Sequence, residues 1–472
     1  MDRSKFSKRQ FAAPPWFWLG LIALWGIALG LRFWGLERFD TLVFDEVYFA
    51  KFARNYLTQT PFFDAHPPLG KYLIAVGIWL KGFNPWGYRW MNALTGSCIP
   101  LLVVGLGVQI ARRYSFALLA GALATLDGLL LVESRYGLIN VYVLAFGLLG
   151  HWLALLSGQQ RGWKHWTALT LAGLSFGAAA AVKWTGLGFL LGLYLFWAIG
   201  RLGRLGRPGL RLAQELPLEQ FLRLSFTKLF IFIPVTGAVL YSLLWIPHLL
   251  QNPEFGFIEV HRQMFGYHQR VGNGPSIHPY CSSLPEWPLM KRPVSYFYQL
   301  ASSLQDSLPA TGPPLPFNKA KYVYSVYAMG NPPLWWSATV AIAIVLGMMV
   351  WHVVLQMRQL IRPSRNILRF NSEKHYVPLY LITGYAANIL PWLSISRCAF
   401  LYHYMPAYLF SSLALAWLLE TGLPHSLKPL RILSLVAIAL SIFGFLFWLP
   451  VYLGLPIRPL EWQWRIWFRS WI

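Results

Sequence analysis

The chain has 472 residues, of which 56% are hydrophobic and only 12% charged, against about 25% charged in soluble domains. So much apolar surface excludes a single water-soluble core. The 40 Lys+Arg against 17 Asp+Glu give a net charge of +23, but the basic residues cluster between apolar runs, which points to anionic headgroups and membrane topology and away from nucleic acid.

In chain order, apolar runs close to the roughly 20 residues that cross a bilayer recur about eleven times. They lie at 16–34, 90–111, 115–132, 137–156, 167–182, 184–200, 228–247, 333–356, 378–395, 402–420 and 430–449. The first follows a basic segment, 1–10, and no small-residue cleavage site comes after it. It is too long for a signal-peptide core and reads as a retained span with a cytoplasmic N-terminus. The shorter run 69–83 is expected to lie against the membrane or partly enter it. Arg201, Arg204, Arg207, Arg211, Arg223 and Lys228 crowd one connector, and Arg358, Arg362, Arg365, Arg369 and Lys374 another. Positive residues favour the cytoplasmic side of short loops, which puts 35–68 and 248–332 outside.

The expected fold is therefore an all-α integral membrane protein, a polytopic bundle of about 11 transmembrane helices with two large extracytoplasmic loops. Its expected units are 1–247, a catalytic membrane region with the first outer loop 35–68; the loop 248–332; and the membrane region 333–472. The last segment, 452–472, carries Trp462, Trp464, Trp467 and Trp471 with Arg465 and Arg469. It is expected to form an amphipathic helix on the outer face. Cys98, Cys281 and Cys398 show no paired spacing, so neither a disulfide framework nor a zinc site is expected. His261 and His268 have no obvious acidic partner in sequence, and no metal site is expected there.

The chemistry gathers in the first outer loop. Asp45 and Glu46 are adjacent acids beyond a span, costly near lipid unless solvated or paired. Asp64-Ala65-His66-Pro67-Pro68-Leu69-Gly70-Lys71 follows. Its two prolines suit a helix start at Leu69 and would hold Asp64 and His66 at a helix N-terminus, where anions are favoured.

With these motifs the chain resembles the protein O-mannosyltransferase family, polyprenyl-phosphate-mannose-dependent enzymes of GT-C type. The likeness runs through Phe44-Asp45-Glu46, His66 to Lys71, Arg89-Trp90-Met91-Asn92-Ala93, Glu133-Ser134-Arg135-Tyr136 and Val182-Lys183-Trp184-Thr185-Gly186. It continues at His278-Pro279-Tyr280, Trp287-Pro288, Arg292-Pro293, Asn331-Pro332, Pro391-Trp392, Ser396-Arg397 and Phe400-Leu401-Tyr402-His403-Tyr404. Asn140 stands where many relatives carry an aspartate, so an acid's role there does not carry over. Cys281, Ser283 and Leu284 also vary the pattern. A second outer loop of 248–332 is too short for the β-trefoil insert of eukaryotic members, which implies a bacterial type.

The resemblance implies an inverting transfer of mannose from polyprenyl phosphate to Ser or Thr hydroxyls of exported proteins. It implies a multi-pass protein of the bacterial plasma membrane with its site on the extracytoplasmic face. Partners would be the lipid donor, an acceptor polypeptide, membrane lipids and the secretion machinery, with no cofactor required. Asp45 is the expected base, Glu46 would orient acceptor or sugar, and Asp64 would support the acceptor side. A departing phosphate needs preorganised cations. Arg89 and Arg397 are the first choices, with Tyr402, His403, Arg135, Lys183 and His66 contributing. His278, Tyr280, Trp287 and Arg292 would form a lid on the second loop. An aminoarabinose transferase acting on a lipid or glycan uses a similar acid pair and remains an alternative. A transporter would show matching broken half-sequences, and none is apparent.

Overall fold

The computed structural model describes residues 13–205, 216–361 and 372–472. The basic segment 1–10 and Arg207, Arg211, Arg362, Arg365 and Arg369 lie outside the described residues. Among the described residues, eight helices are long and apolar enough to cross a membrane. They match eight of the eleven expected spans. The other three are helical but different in kind. The run 115–132 breaks at Asp127 into Tyr114–Thr125 and Gly128–Glu133, because Asp127 accepts from the Leu130 amide at 2.8 Å and starts a new helix. The run 378–395 becomes Ser372–Ile389, with a charged first turn, followed by a 3-10 turn. The run 402–420 becomes Met405–Gly422, enclosed almost entirely by protein.

Helix Pro85–Ala111 is the hub. It starts where the Asn84 side chain accepts from Gly87 N, with Pro85 in the first turn. It packs on Pro15–Phe33, Leu69–Lys81, Tyr114–Thr125 and Asn140–Ser157. Helix Gly162–Val182 lies between Asn140–Ser157 and Ile233–Gln251. Its contact with the latter is backbone on backbone: a Cβ on Gly177 would sit 2.7 Å from the Gly237 Cα.

The second outer loop holds helix Phe257–Arg270 and an antiparallel hairpin that hydropathy does not announce. Strand β1, Val294–Ala301, pairs with β2, Tyr322–Ala328, from Val294↔Ala328 to Ala301↔Tyr322. Alternating aromatic and β-branched residues in Tyr322 to Tyr327 carry the strand signal.

Two expectations are corrected outside the bundle. Residues 452–472 do not form an amphipathic helix. Beyond the end of helix Lys428–Leu453 only Pro459–Gln463 is α-helical, Ile457 bridges to Val323, and Trp462 and Trp471 are buried. The Trp471 indole donates to the Met290 carbonyl at 3.0 Å. Trp462 and Trp471 turn inward, Trp462 against Tyr298 of the hairpin, while Trp464 and Trp467 stay exposed. The expectation of no disulfide also fails: Cys281 and Cys398 are bonded across 117 residues. Folding, not spacing, brings them together, and the link ties the second outer loop to the segment carrying Arg397.

Candidate active site

The first outer loop is built around Arg89. Its Nε and Nη2 grip Glu46 as a two-point fork, each at 2.9 Å. Nη1 donates to Leu36 and Phe39 carbonyls and Nη2 to that of Thr41. All five N–H donors are spent, and both side chains are buried. Glu46 also accepts from Val43 N at 3.0 Å and Gly137 N at 2.6 Å. Neither residue has capacity left for a ligand. Arg89 is therefore corrected from phosphate grip to loop strut, and Glu46 from acceptor-orienting group to its counter-ion. Arg135 is corrected likewise. It donates to the Leu31, Arg32, Trp34 and Gly35 carbonyls and closes the C-terminal end of helix Pro15–Phe33.

That strut leaves Asp45 facing the opposite way. Asp45 precedes helix Glu46–Leu57 without capping it through its side chain. Phe44 before it sits in the left-handed region at φ 47°, a strained setting for a bulky residue. Its ring stacks on Tyr296 at 4.9 Å. Asp45 Oδ2 accepts from the Tyr402 hydroxyl at 3.3 Å. Burial pushes the Asp45 carboxyl up to about 6, opposed by Lys183 and the Tyr402 hydrogen bond.

Lys183, whose charge bears on Asp45, lines a cavity of 400 Å³. Its polar end carries Lys183, Arg397, His66, His268 and His403 and no carboxylate. Its other wall is apolar, with Leu187, Leu191 and Ile395 opening to the surface. Lys183 Nζ lies 3.2 Å from His403 Nε2 and donates to Asn140 Oδ1 at 3.3 Å. Burial, then Arg397, pushes the Lys183 ammonium down to about 8, while Asp45, Glu133 and Asp64 favour its charge. Arg397 donates to the Cys398 carbonyl through Nη1. Burial holds His66 well below its ordinary value and His268 down to about 4, so both imidazoles are neutral and the cavity's charge rests on Lys183 and Arg397.

Asp64 does not face this cavity. It pairs with Lys71 at 2.6 Å, and Lys71 also donates to the His66 and Pro67 carbonyls. The pair fixes the turn that presents His66. Of the four second-loop residues, His278, Tyr280 and Arg292 sit together and Trp287 lies apart. His278 packs edge-on to Phe44 and Phe400. Tyr280 lies against the His278 ring. Trp287 is buried, donating to Ser282 Oγ at 2.9 Å, and packs on Trp392 and His403. Arg292 donates to the Pro279 and Ser470 carbonyls. Of the four, His278 reaches the residue preceding Asp45, through its contact with Phe44. Trp287 supports the site from beneath, and Arg292 clamps the C-terminal segment.

The sequence reading missed Glu133, Tyr296 and His268 as site residues. Tyr296 hydrogen-bonds Glu133 Oε1, and Asn140 Nδ2 donates to Oε2 at 3.0 Å. Glu133 was visible inside a motif; Tyr296 lies on the unexpected strand.

The chain folds like known lipid-donor membrane enzymes. It matches the Saccharomyces cerevisiae protein O-mannosyltransferase Pmt1-Pmt2 complex bound to the sugar donor, at TM-score 0.79 and 15% identity, over 99% of this chain and 94% of that one. ArnT from Cupriavidus metallidurans bound to undecaprenyl phosphate matches at TM-score 0.52 and 15% identity, over 94% and 77%. These likenesses and the helical bundle define a GT-C-type membrane glycosyltransferase fold.

Sequence narrows the class. The model for dolichyl-phosphate-mannose-protein mannosyltransferase matches residues 22–85 and 81–249, and that for the C-terminal four TMM region of protein-O-mannosyltransferase matches 255–471. The polyprenol-phosphate-mannose–protein mannosyltransferase of Mycolicibacterium smegmatis is 28% identical over 91% of this chain and 88% of its own. That of Corynebacterium glutamicum is 25% identical over 100% and 98%. The chain belongs to the protein O-mannosyltransferase family, as a bacterial-type member.

Proposed function

We propose that this membrane protein transfers mannose from a polyprenyl-phosphate carrier to Ser or Thr hydroxyls of exported polypeptides, with inversion at the anomeric carbon. The observation that carries this reading is the cavity: two cations at one end and an apolar wall opening outward at the other, with the Asp45 carboxylate linked to it through the charge of Lys183. A lipid phosphate needs both ends at once.

In this reading Asp45 takes the hydroxyl proton as the acceptor oxygen bonds to the anomeric carbon. The bond from that carbon to the phosphate oxygen breaks, and the charge passes to the phosphate. Lys183 and Arg397 face that charge, where preorganised cations act most strongly. Tyr402 orients the Asp45 carboxylate, and His403 holds Lys183. His66 and His268 close the polar end as neutral imidazoles, His268 with its Nε2–H held by the Ala65 carbonyl. The isoprenoid chain runs along Leu187, Leu191 and Ile395. His278 and Tyr280 cover the acceptor side. Residues 1–247 form the catalytic membrane region, 248–332 the outer loop and 333–472 the second membrane region. The chemistry needs no metal, because a monophosphate offers no diphosphate to bridge.

The Cys281–Cys398 bond favours an oxidising, extracytoplasmic site, as do basic connectors at the opposite ends of the spans. An acceptor emerging from the secretion machinery would meet the site there.

The test is transfer of radiolabelled mannose from polyprenyl-phosphate-mannose to a Ser/Thr-rich peptide by purified protein, beside Asp45→Asn. Transfer absent from the variant supports the reading. Donor binding without transfer to any peptide would overturn the acceptor assignment in favour of a lipid or glycan.

A further inference from the structure

The cavity's cations are not held equally. Arg397 reaches the cavity from a loop and is anchored by one carbonyl and the adjacent disulfide. Lys183 follows directly on helix Gly162–Val182 and is buried. Behind it stands a line of groups to which no role has been given. The Asn140 amide donates through Nδ2 to Glu133 Oε2 and accepts through Oδ1 from Lys183 Nζ. This is the orientation that a carboxylate on one side and an ammonium on the other require. Tyr296 donates to the other oxygen of Glu133. Glu133 is itself fully buried. A buried carboxylate is costly unless hydrogen-bonded and paired, and the Asn140 amide links it to a cation, Lys183.

We propose that Glu133 is a positioning residue for the donor phosphate: bridged by Asn140, it fixes Lys183 in the cavity and keeps its ammonium charged. The inference rests on the lipid-phosphate reading of the cavity.

Lys183 is faced from every side by groups that bear on its proton. Glu133 and Asn140 lie behind it. Arg397, Tyr402 and His403 approach from the C-terminal segment, Asp45, Asp64 and His66 from the first loop, and His268 from the second. Its ammonium is present below about pH 8 and lost as pH rises through that value. Donor binding should therefore weaken across an alkaline limb near pH 8. Glu133→Gln keeps the shape and removes a charge that favours the ammonium, so the limb should move down by about one pH unit.

The experiment measures the donor KM and kcat between pH 6 and 9 with polyprenyl-phosphate-mannose, for the wild type, Glu133→Gln, Lys183→Gln and the double variant. The expected result is a raised donor KM in Glu133→Gln at pH 7.5, a limb moved to lower pH, and no further rise when Glu133→Gln is added to Lys183→Gln. A Glu133→Gln effect that persists without Lys183, or an unmoved limb in a folded variant, overturns the inference. If Glu133→Gln does not fold, Tyr296→Phe weakens the same carboxylate and should move the limb in the same direction. A wild type that shows no transfer would instead refute the function on which the inference rests.

Discussion

Arg89 is where residue type and structure disagree most, and Arg89→Lys tests which is right. Lysine keeps the charge but brings three N–H donors where arginine brings five, all of them used. At least two bonds are lost in a buried site. A hydrogen bond to a charged group is worth about 1.5–3 kcal/mol, so the loss is roughly 3 kcal/mol or more. At 1.4 kcal/mol per decade, opening of the loop that Arg89 staples should rise about 100-fold. Hydrogen exchange of residues 36–46 in detergent, read by mass spectrometry, should accelerate accordingly. Donor affinity should change little, because the cavity cations are Lys183 and Arg397, while kcat falls as Asp45 loses its seat. Unaltered exchange with a tenfold weaker donor would refute this and return the guanidinium to the phosphate.

Other outcomes follow from the same geometry. With Asp45 raised to about 6 and active only as the carboxylate, kcat should fall as pH drops through about 6. Tyr402→Phe removes a donor that favours the charged form, so a stopped assay across pH 5 to 7 should show this acid limb at higher pH. Arg397→Gln should raise the donor KM and lower kcat, each by about tenfold, since it removes one of two cations that face the phosphate before and during its departure. Replacing Cys281 and Cys398 together by serine should raise the donor KM and leave the circular-dichroism helix signal intact, because the bond anchors the Arg397 segment and not the bundle.

Much of this was legible in the sequence. Hydropathy located the eight candidate spans among the described residues, because an apolar run of bilayer length has few other uses, but it also counted three runs that the fold uses otherwise. It could not separate lipid-facing helices from Met405–Gly422, which is apolar for a different reason, being wrapped in protein. The chemistry-bearing types were found, and Asp45, Lys183, Arg397, Tyr402, His403 and His66 do converge. What one dimension could not supply was which cation is already spent. Arg89 and Arg397 look equivalent in sequence. One faces three carbonyls and a carboxylate folded around it, and the other faces an opening. The hairpin stayed hidden because Tyr296 and its neighbours lie within a long polar connector. The disulfide stayed hidden because its halves are joined by the fold alone.

The contact at Gly177 bears on how freely this chain can vary. Residues 177–181, Gly-Ala-Ala-Ala-Ala, offer no reactive group and would pass for replaceable filler. Yet any side chain at 177 must push apart two helices that meet backbone to backbone at Gly237, and Lys183 rides on the end of one of them. A single methyl group there would tilt the lever that carries the ammonium. Lineages of this protein should therefore drift more readily at the exposed lipid-facing positions Leu171 and Leu243 than at this featureless glycine.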